Sequence, residues 1–287
     1  MEVIQQSTEY LAKRELDSPR LQIELLLAHV LRVPRLRLYL DFARVLTPAE
    51  LDAVRALLRR RARREPLQHL VGSTSFCGFE IEVNPAVLIP RPETEVLAER
   101  AWNFLAENSE KSAGTRRALD WGTGSGALAV SLAVKCPVAE WVAIDVSAAA
   151  LVVAARNAAR HGVAERIRFL ESDGFAALPA EDSFDLIVTN PPYIATDEIA
   201  MLQPEVRDYD PRQALDGGAD GLDFYRRLAG ELAPRLRAGG RLMAELGDGQ
   251  AEAVSEIFRA NKWVVEAVVA DYSGRSRVLI AKGFAGR

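Results

Sequence analysis

Short apolar runs alternate with stretches of helical spacing from residue 117 onward, and this alternation most constrains the fold. The runs cover residues 118–121, 141–144, 167–170, 184–188, 242–246, 263–269 and 278–281. Helical stretches, among them 127–135 and 148–161, separate most of them. The pattern predicts a doubly wound, Rossmann-like α/β fold whose mostly parallel seven-stranded sheet is covered on both faces. The link at 270–274 is too short for a parallel crossover, so the last strand is expected to be antiparallel.

The first 65 residues have a different character and predict a small helical bundle. Apolar residues at Leu21, Leu25, Ala28 and Leu31 follow helical spacing, and Leu26 and Leu27 widen this apolar stripe. The stretch Thr47-Pro48-Ala49-Glu50 is typical of a helix start, with a capping threonine and a glutamate three residues later. Aromatic and β-branched residues broken by glycines then predict a β-hairpin. The predicted domains are a helical domain at 1–68, a hairpin linker at 69–90 and an α/β domain at 91–287.

Five arginines lie within residues 59–64, at the end of a predicted helix. They could contact an acidic partner or RNA. Cations are also favourable at a helix C-terminus, where they face solvent. We favour the second interpretation.

The composition narrows the class of protein. The net charge of −4 disfavours a protein that wraps nucleic acid, which usually has a basic surplus. Two distant cysteines do not suggest a disulfide framework, and three scattered histidines lack zinc-ligand spacing. With neither a signal peptide nor a membrane-length apolar run, the expectation is a cytoplasmic protein that holds no metal and contacts no membrane.

A glycine-rich loop at 120–126 follows the first strand of the predicted sheet and leads into a helix. Gly122, Gly124 and Gly126 allow a tight turn and a close approach to a ligand at the carboxyl ends of the strands. Thr123 and Ser125 complete the loop as candidate cofactor-binding residues. The next strand ends in Asp145, which could accept hydrogen bonds from two ribose hydroxyls.

Two cofactors share this pairing of a glycine loop with a downstream acid, a nicotinamide dinucleotide and S-adenosylmethionine. Gly122, Gly124 and Ala127 satisfy the looser dinucleotide pattern. The tight glycine spacing and the preceding Asp120 favour S-adenosylmethionine. A carboxylate would repel a diphosphate but attract the amino group of a methionine moiety.

The third strand is followed by a second candidate part of the cofactor site. Asp173 could accept a hydrogen bond from the exocyclic amine of adenine, and Gly174 and Phe175 could line the ring. Asp173 could instead cap a helix. The sequence supports both interpretations equally.

The fourth strand leads into Asn190-Pro191-Pro192-Tyr193, the most informative stretch of the chain. The prolines stiffen the loop beside the expected methyl donor. The Asn190 side-chain oxygen and the Pro191 carbonyl could accept hydrogen bonds from one NH₂ group, while Tyr193 offers a flat face. This arrangement suits methylation of a planar nitrogen, whose delocalised lone pair makes it a poor nucleophile that must be oriented.

Further stretches occur together with this motif: 91–95, 120–126, 204–207, 214–222 and 274–278. Their combination resembles the peptide chain release factor glutamine methyltransferases of the HemK type over nearly the whole chain. The resemblance implies transfer of a methyl group from S-adenosylmethionine to the N5 amide of the glutamine in the Gly-Gly-Gln tip of class 1 release factors. It also implies that Asn190 and Pro191 hold this amide, that Tyr193 packs on it, that Pro192 shapes the catalytic loop, and that Asn190 contacts the cofactor as well. The same resemblance implies that the helical domain at 1–68 is a substrate-docking domain for the body of the release factor, and that segments 91–95 and 216–223 flank the site.

The sequence departs from the family pattern at Trp121, where a smaller aliphatic residue is usual, and at Gly174, where a larger side chain is usual. Three other functions are alternatives to this one. They are a DNA or RNA methyltransferase acting on adenine N6 or guanine N2, a nicotinamide-dependent oxidoreductase, and a non-catalytic binding module. The expected partner is a release factor, with no direct nucleic-acid contact, and the expected state is a monomer.

Overall fold

A computed structural model describes residues 2–41, 43–107 and 115–283. Residues 1, 42, 108–114 and 284–287 fall within the predicted domain ranges but lie outside the described residues. The chain divides into two compact units. One comprises Met1–Ser73 with Gln203–Tyr209, and the other comprises Thr74–Leu202 with Asp210–Arg287.

The first unit, here called the helical unit, consists of helices. They are α1 (Glu2–Ala12), α2 (Pro19–Leu31), α3 (Arg37–Leu40), α4 (Pro48–Arg61), α5 (Leu67–Val71) and, from the distant segment, α9 (Pro204–Arg207). Helix α4 begins as predicted. The Thr47 hydroxyl accepts a hydrogen bond from the Glu50 amide at 3.3 Å, and the Glu50 carboxylate accepts one from the Thr47 amide at 2.8 Å. This reciprocal cap satisfies two amides that a helix start otherwise leaves unpaired.

The predicted apolar stripe of α2 was wrong for Leu21, which is 41% exposed. Leu26, Leu27 and Ala28 of the stripe are buried, and so is Ile23. Helix α2 packs against α1, α4 and α5, so that its buried surface is wider than a single apolar stripe. Even Glu24 is buried there, and its carboxylate is bonded to neighbouring side chains.

The arginine run at the end of α4 is mostly paired within the helical unit. Arg61 is buried and donates to the Glu205 carboxylate at 2.7 Å, and Arg64 donates to the same carboxylate at 3.0 Å. Arg60 pairs with Glu65. The prediction of a solvated helix end was therefore wrong for Arg61, which holds the 203–209 segment.

Glu205→Ala is expected to lower the free energy of unfolding by about 3 kcal/mol, because it leaves the buried Arg61 guanidinium without its carboxylate. Urea unfolding of the full chain, followed by circular dichroism, measures this change. The matched control is Glu252→Ala, which removes an exposed partner of Arg259. That control should change stability by less than about 0.5 kcal/mol. Equal effects of the two changes would mean that the Arg61–Glu205 pair does not stabilise the unit.

The second unit, here called the catalytic unit, contains a seven-stranded sheet in the order β5-β4-β3-β6-β7-β9-β8. The strands are β3 (Arg116–Trp121), β4 (Ala139–Asp145), β5 (Ile167–Glu171), β6 (Phe184–Thr189), β7 (Leu236–Glu245), β8 (Val264–Ala270) and β9 (Ser276–Lys282). Strand β9 lies antiparallel to both of its neighbours, while the remaining pairs are parallel. The predicted sheet and its antiparallel last strand are confirmed.

Helices cover both faces of this sheet. They are α6 (Thr94–Glu107), α7 (Ala127–Lys135), α8 (Ala148–Arg160), α10 (Asp223–Glu231) and α11 (Ala251–Ala260). Alternate residues of one strand belong to opposite cores. Leu186 packs in the core with α6, α7 and α8, while Ile187 packs in the core with α10 and α11. Burial on both faces explains why the strands read as continuous apolar runs.

The β-hairpin is shorter than predicted. Its strands are β1 (Ser73–Phe76) and β2 (Phe79–Glu82), which form a separate two-stranded sheet. Asn157 of α8 is fully buried and connects this hairpin to the glycine loop. Its amide nitrogen donates to the carbonyls of Glu82 at 3.0 Å and Ser125 at 2.8 Å.

Two further features bear on the class of protein. None of the described helices is long and apolar enough to cross a membrane. Cys77 and Cys136 are both free thiols, and burial raises the pKa of Cys136 to about 11.

Candidate active site

A cleft opens at the carboxyl ends of the central strands of the catalytic unit. In α/β proteins with a parallel sheet, ligands commonly bind outside the carboxyl ends of the strands. The cleft brings together the glycine loop, the end of β4, the segment after β5 and the Asn-Pro-Pro loop after β6. Its lining includes Trp121, Gly122, Gly124, Asp145, Ser172, Asp173, Thr189, Asn190, Pro191, Pro192, Pro211 and Phe224.

The glycine loop needs its glycines for backbone conformation and for space. Gly122 and Gly124 have φ values of 72° and 55°, in the left-handed region that L-residues rarely adopt. Gly126 opens α7 in close contact with α8, since a Cβ there would lie 3.0 Å from the Cβ of Ala154. Gly122 and Gly124 line the cleft, whereas Gly126 fixes the approach of the two helices.

Thr123 and Ser125 lie beneath the loop. Both are buried, and neither lines the cleft. The Thr123 hydroxyl donates to Asp120 at 2.7 Å, and the Ser125 carbonyl accepts the hydrogen bond from Asn157. Their side chains support the loop from inside, and contact with a cofactor through their backbones stays a prediction.

Asp145 faces the cleft from the end of β4. Its two carboxylate oxygens accept hydrogen bonds from the amides of Gly124 at 2.8 Å and Ser147 at 2.9 Å. Burial is the main cause of a raised pKa at this carboxyl, which the backbone amides partly offset. A carboxylate oxygen can accept more than one hydrogen bond, so both oxygens retain capacity for the two hydroxyls of a ribose.

Asp120 lies at the end of β3 and is 1% exposed. Its Oδ2 atom accepts from Thr123 and from the Ala129 amide at 3.1 Å, whereas Oδ1 has no partner among the described residues. Burial raises the pKa of this carboxyl to about 7. A buried carboxylate oxygen without a partner is costly unless a cation satisfies it. An unpartnered buried carboxylate oxygen beneath the glycine loop suits a positively charged amino group better than a diphosphate, but Asp120 does not itself line the cleft, so its contact with the amino group of S-adenosylmethionine stays a prediction.

Trp121 and Gly174, the two departures from the family pattern, lie next to each other. A Cβ at Gly174 would lie 2.5 Å from Nη2 of Arg227 and 3.1 Å from Cζ2 of the Trp121 indole, so the missing side chain leaves room for both groups. Phe175 packs edge-on against the same ring at 5.1 Å. Asp173 lines the cleft and pairs with Arg227, whose guanidinium lies over Trp121.

No helix begins at Asp173, so the capping interpretation of that residue was wrong. The hydroxyl of Ser172 accepts the Ala177 amide at 3.0 Å and takes the capping role in this turn. Neither Gly174 nor Phe175 lines the cleft. A contact between Asp173 and adenine stays a prediction.

The Asn-Pro-Pro loop presents Asn190 in a defined orientation. Its amide nitrogen donates to the Thr94 hydroxyl at 3.2 Å. No described residue donates to its side-chain oxygen, which remains available as an acceptor. Pro191 and Pro192 line the same cleft.

Tyr193 is turned toward the interior of the catalytic unit and does not line the cleft. Its hydroxyl donates to Glu245 at 3.3 Å, and its carbonyl accepts from Gln250 at 2.8 Å. The glycine-rich stretch after Asp216 packs on its backbone, since a Cβ at Gly221 would lie 2.4 Å from the Tyr193 carbonyl oxygen. These contacts fix the loop from the interior of the unit. The stacking of Tyr193 on a substrate stays a prediction.

Sequence reasoning missed two buried polar residues behind this loop, Thr94 and Glu245. Thr94 lies in the stretch 91–95, which the family resemblance places beside the site without assigning a role to this residue. Glu245 lies inside the apolar run 242–246, where a carboxylate is unexpected. That misfit was the signal that could have identified it.

Known proteins resemble this chain over both units. A family model described as PrmC N-terminal domain matches residues 2–72, and one described as Methyltransferase small domain matches residues 98–204. Among solved structures, human methyltransferase 10 domain containing protein has a TM-score of 0.52 at 20% identity, covering 85% of this chain and 100% of that chain. A methyltransferase from Pyrococcus furiosus has a TM-score of 0.51 at 22% identity, covering 79% and 99%. These structures share the methyltransferase fold.

Curated relatives are much more similar in sequence. The release factor glutamine methyltransferase of Geobacter sulfurreducens is 44% identical over 94% of this chain and 92% of its own length. That of Chlorobaculum tepidum is 47% identical over 88% and 87%. Such identity over nearly full length places the chain plainly: it belongs to the release factor glutamine methyltransferase family.

Proposed function

We propose that this protein transfers a methyl group to the N5 side-chain amide of the glutamine in the Gly-Gly-Gln motif of class 1 release factors. Its methyl donor is S-adenosylmethionine, as in the methyltransferase family to which it belongs. The orientation of Asn190 is the observation that carries the proposal. Because its NH₂ group is bonded to Thr94, its oxygen remains to accept an N–H from a planar amide.

The residues of the loop address the weakness of an amide as a nucleophile. When bound, S-adenosylmethionine supplies an electrophilic methyl group on a positively charged sulfur. Asn190 Oδ1 and the Pro191 carbonyl accept the two N–H groups of the glutamine amide. These bonds increase the electron density on nitrogen and aim it in one direction. The proton can leave after transfer, so a strong base is not required beforehand.

The glycine loop and two carboxylates hold the cofactor in this proposal. Gly122 and Gly124 allow close approach, Asp145 binds the ribose hydroxyls and Asp120 binds the amino group. Asp173 faces the adenine end of the cleft. The nicotinamide-dependent oxidoreductase and the nucleic-acid methyltransferase are not favoured, since the curated relatives are release factor glutamine methyltransferases. The helical unit is proposed to dock the body of the release factor, and the reaction to take place in the cytoplasm.

The test is a methylation assay with methyl-labelled S-adenosylmethionine, the full chain and a recombinant class 1 release factor. Label is expected on the release factor and should be lost when the glutamine of its Gly-Gly-Gln motif is replaced. DNA and RNA in matched reactions should stay unlabelled. Label on nucleic acid alone would overturn the substrate, and label that persists without the glutamine would overturn the assigned position.

A further inference from the structure

The middle of the Asn-Pro-Pro-Tyr loop cannot be held by its own amides, because Pro191 and Pro192 have no N–H group. A side chain from another part of the catalytic unit binds a carbonyl of the loop instead. Gln250, the residue that precedes α11, donates from Nε2 to the Tyr193 carbonyl at 2.8 Å. Its Oε1 atom accepts a hydrogen bond from the Gly247 amide at 3.2 Å. One side chain thus connects the substrate loop to the turn that follows β7.

Glycines leave the space in which this connection is made. A Cβ at Gly247 would lie 2.5 Å from Oε1 of Gln250 and 3.0 Å from Cδ2 of the Tyr193 ring. A Cβ at Gly217 would lie 2.8 Å from the Tyr193 Cα and 2.9 Å from the Pro192 carbonyl oxygen. Neither glycine lies in the left-handed region of backbone conformation. Close packing around Tyr193, and not the backbone conformation, therefore requires glycine at these two positions.

We propose that Gln250 is a positioning residue for methyl transfer, which fixes the Pro191 carbonyl in the direction that accepts an N–H from the glutamine amide. The inference rests on the proposed function of the cleft and assigns a residue that acts through Tyr193. Pro191 lines the cleft and Gln250 does not, so Gln250 acts on the loop and not on the substrate.

Backbone geometry carries this restraint to the Pro191 carbonyl. That carbonyl lies in the planar peptide group that joins Pro191 to Pro192. The ring of Pro192 fixes its φ, so few free rotations separate this plane from the Tyr193 carbonyl. The next residue is fixed as well, since the Ile194 amide donates to the Leu215 carbonyl at 3.0 Å. With its downstream end bound, the loop presents the Pro191 carbonyl in one direction.

The chemistry of the Gln250 side chain distinguishes positioning from support of the helix start. Its amide uses one acceptor toward Gly247 and one donor toward Tyr193. A glutamate of the same length could keep the bond from the Gly247 amide, and its charge would suit the start of α11. An ionised carboxylate only accepts hydrogen bonds, so it could not donate to the Tyr193 carbonyl. Positioning of the loop therefore requires glutamine, whereas support of the turn and the helix does not.

The central experiment measures methylation of a recombinant class 1 release factor by Gln250→Glu and Gln250→Met in the full chain at pH 8. Both variants should lower kcat roughly 5- to 30-fold, the factor that loss of one ordering hydrogen bond implies. The KM for the release factor and the Kd for S-adenosylmethionine, measured by calorimetry, should not change, because Gln250 lies outside the cleft. Normal kcat in either variant would overturn the proposal, since each lacks the bond to Tyr193. A loss that lies in KM or Kd instead of kcat would overturn it too.

Gly247→Ala tests the same contact from the other side, because its Cβ would displace the Gln250 side chain. It should lower kcat as much as Gln250→Ala does, and the double variant should be little slower than Gln250→Ala alone, since the space is then free. The matched control is Gly230→Ala, at an exposed position of α10 where a Cβ would meet nothing within 4 Å. This control should keep wild-type kcat. Multiplicative losses in the double variant would contradict the proposed contact.

A second readout does not depend on methyl transfer. In ¹⁵N-labelled protein, the Ile194 amide should exchange with solvent faster in Gln250→Met than in the wild type, because the end of the loop is released. The Val254 amide, which donates to the Gln250 backbone carbonyl at 2.9 Å, should exchange at the wild-type rate. Unchanged exchange at Ile194, or equal acceleration at both amides, would overturn the inference even if the chain methylated no release factor. Absence of label from the wild-type chain would instead count against the proposed function, so the two failures are distinct.

Discussion

Asn190→Ala is expected to lower kcat by about 100- to 1,000-fold, the loss typical when one preorganised polar contact to a reacting group is removed. The variant should still bind S-adenosylmethionine, since the glycine loop, Asp145 and Asp120 are untouched. Single-turnover methylation of the release factor measures the first effect, and calorimetry with the cofactor measures the second. Turnover and cofactor binding should respond differently because Asn190 lines the cleft from the loop after β6.

The matched control is Asn103→Ala, which makes the same substitution at an exposed position of α6. It should leave both turnover and cofactor affinity unchanged. Normal turnover in Asn190→Ala would refute the role of its oxygen as an amide acceptor. A parallel loss of cofactor affinity and turnover would place Asn190 in the cofactor site alone.

Asp120→Asn is expected to have opposite effects on stability and on cofactor binding. Because burial raises the pKa of Asp120 from 3.8 to about 7, its contribution to stability is complete below pH 4 and is lost as the pH rises through about 7. Asparagine stays neutral, so without cofactor the variant should be more stable than the wild type at pH 8, by about 4 kcal/mol. Cofactor affinity should fall about 10- to 100-fold, because the amino group loses a charged partner. Thermal unfolding at pH 5.5 and pH 8, with calorimetry, tests both effects.

Asp182→Asn provides the contrasting control. Asp182 is also buried, and burial alone would raise its pKa. The guanidinium groups of Arg117 and Arg168, each 2.8 Å away, together outweigh this effect, so that the pKa of Asp182 is lowered overall. The contribution of Asp182 to stability is complete above the pKa that this carboxyl has in the unfolded chain, and it is lost as the pH falls through the lowered pKa of the folded state. Asp182→Asn should therefore destabilise the protein at pH 8. Destabilisation at pH 8 by Asp120→Asn as well would show that Asp120 already has a stabilising partner.

The sheet could be predicted from the sequence because its strands are buried on both faces. Residues such as Leu186 and Ile187 are both apolar although they face opposite cores, so each strand forms a continuous run with clear ends. The glycine loop could be predicted equally well, since φ values of 72° and 55° favour glycine. Local constraints of this kind leave a direct trace in residue type.

Features that depend on distant contacts left no such trace. The buried face of α2 depends on which helices surround it, and apolar residues occur on more than one side of it. The attachment of segment 203–209 to the helical unit depends on Arg61 meeting Glu205, 144 positions away. Thr94 and Glu245 likewise meet the substrate loop only in the folded chain, and each has an ordinary local explanation as a helix start or a strand end.

The order of strands in the sheet has a consequence for the synthesis of this protein. Strand β9 lies between β7 and β8, although it follows both in the chain. Glu245 of β7 is opposite Val278 of β9, and Leu246 is bonded to Arg277 at 2.8 Å. A chain emerging from the ribosome can form the glycine loop and strands β3 to β6 long before residues 276–282 are available to cover β7. The nascent protein should therefore be able to bind its cofactor before the buried support of its substrate loop is complete, so that catalytic competence is acquired last.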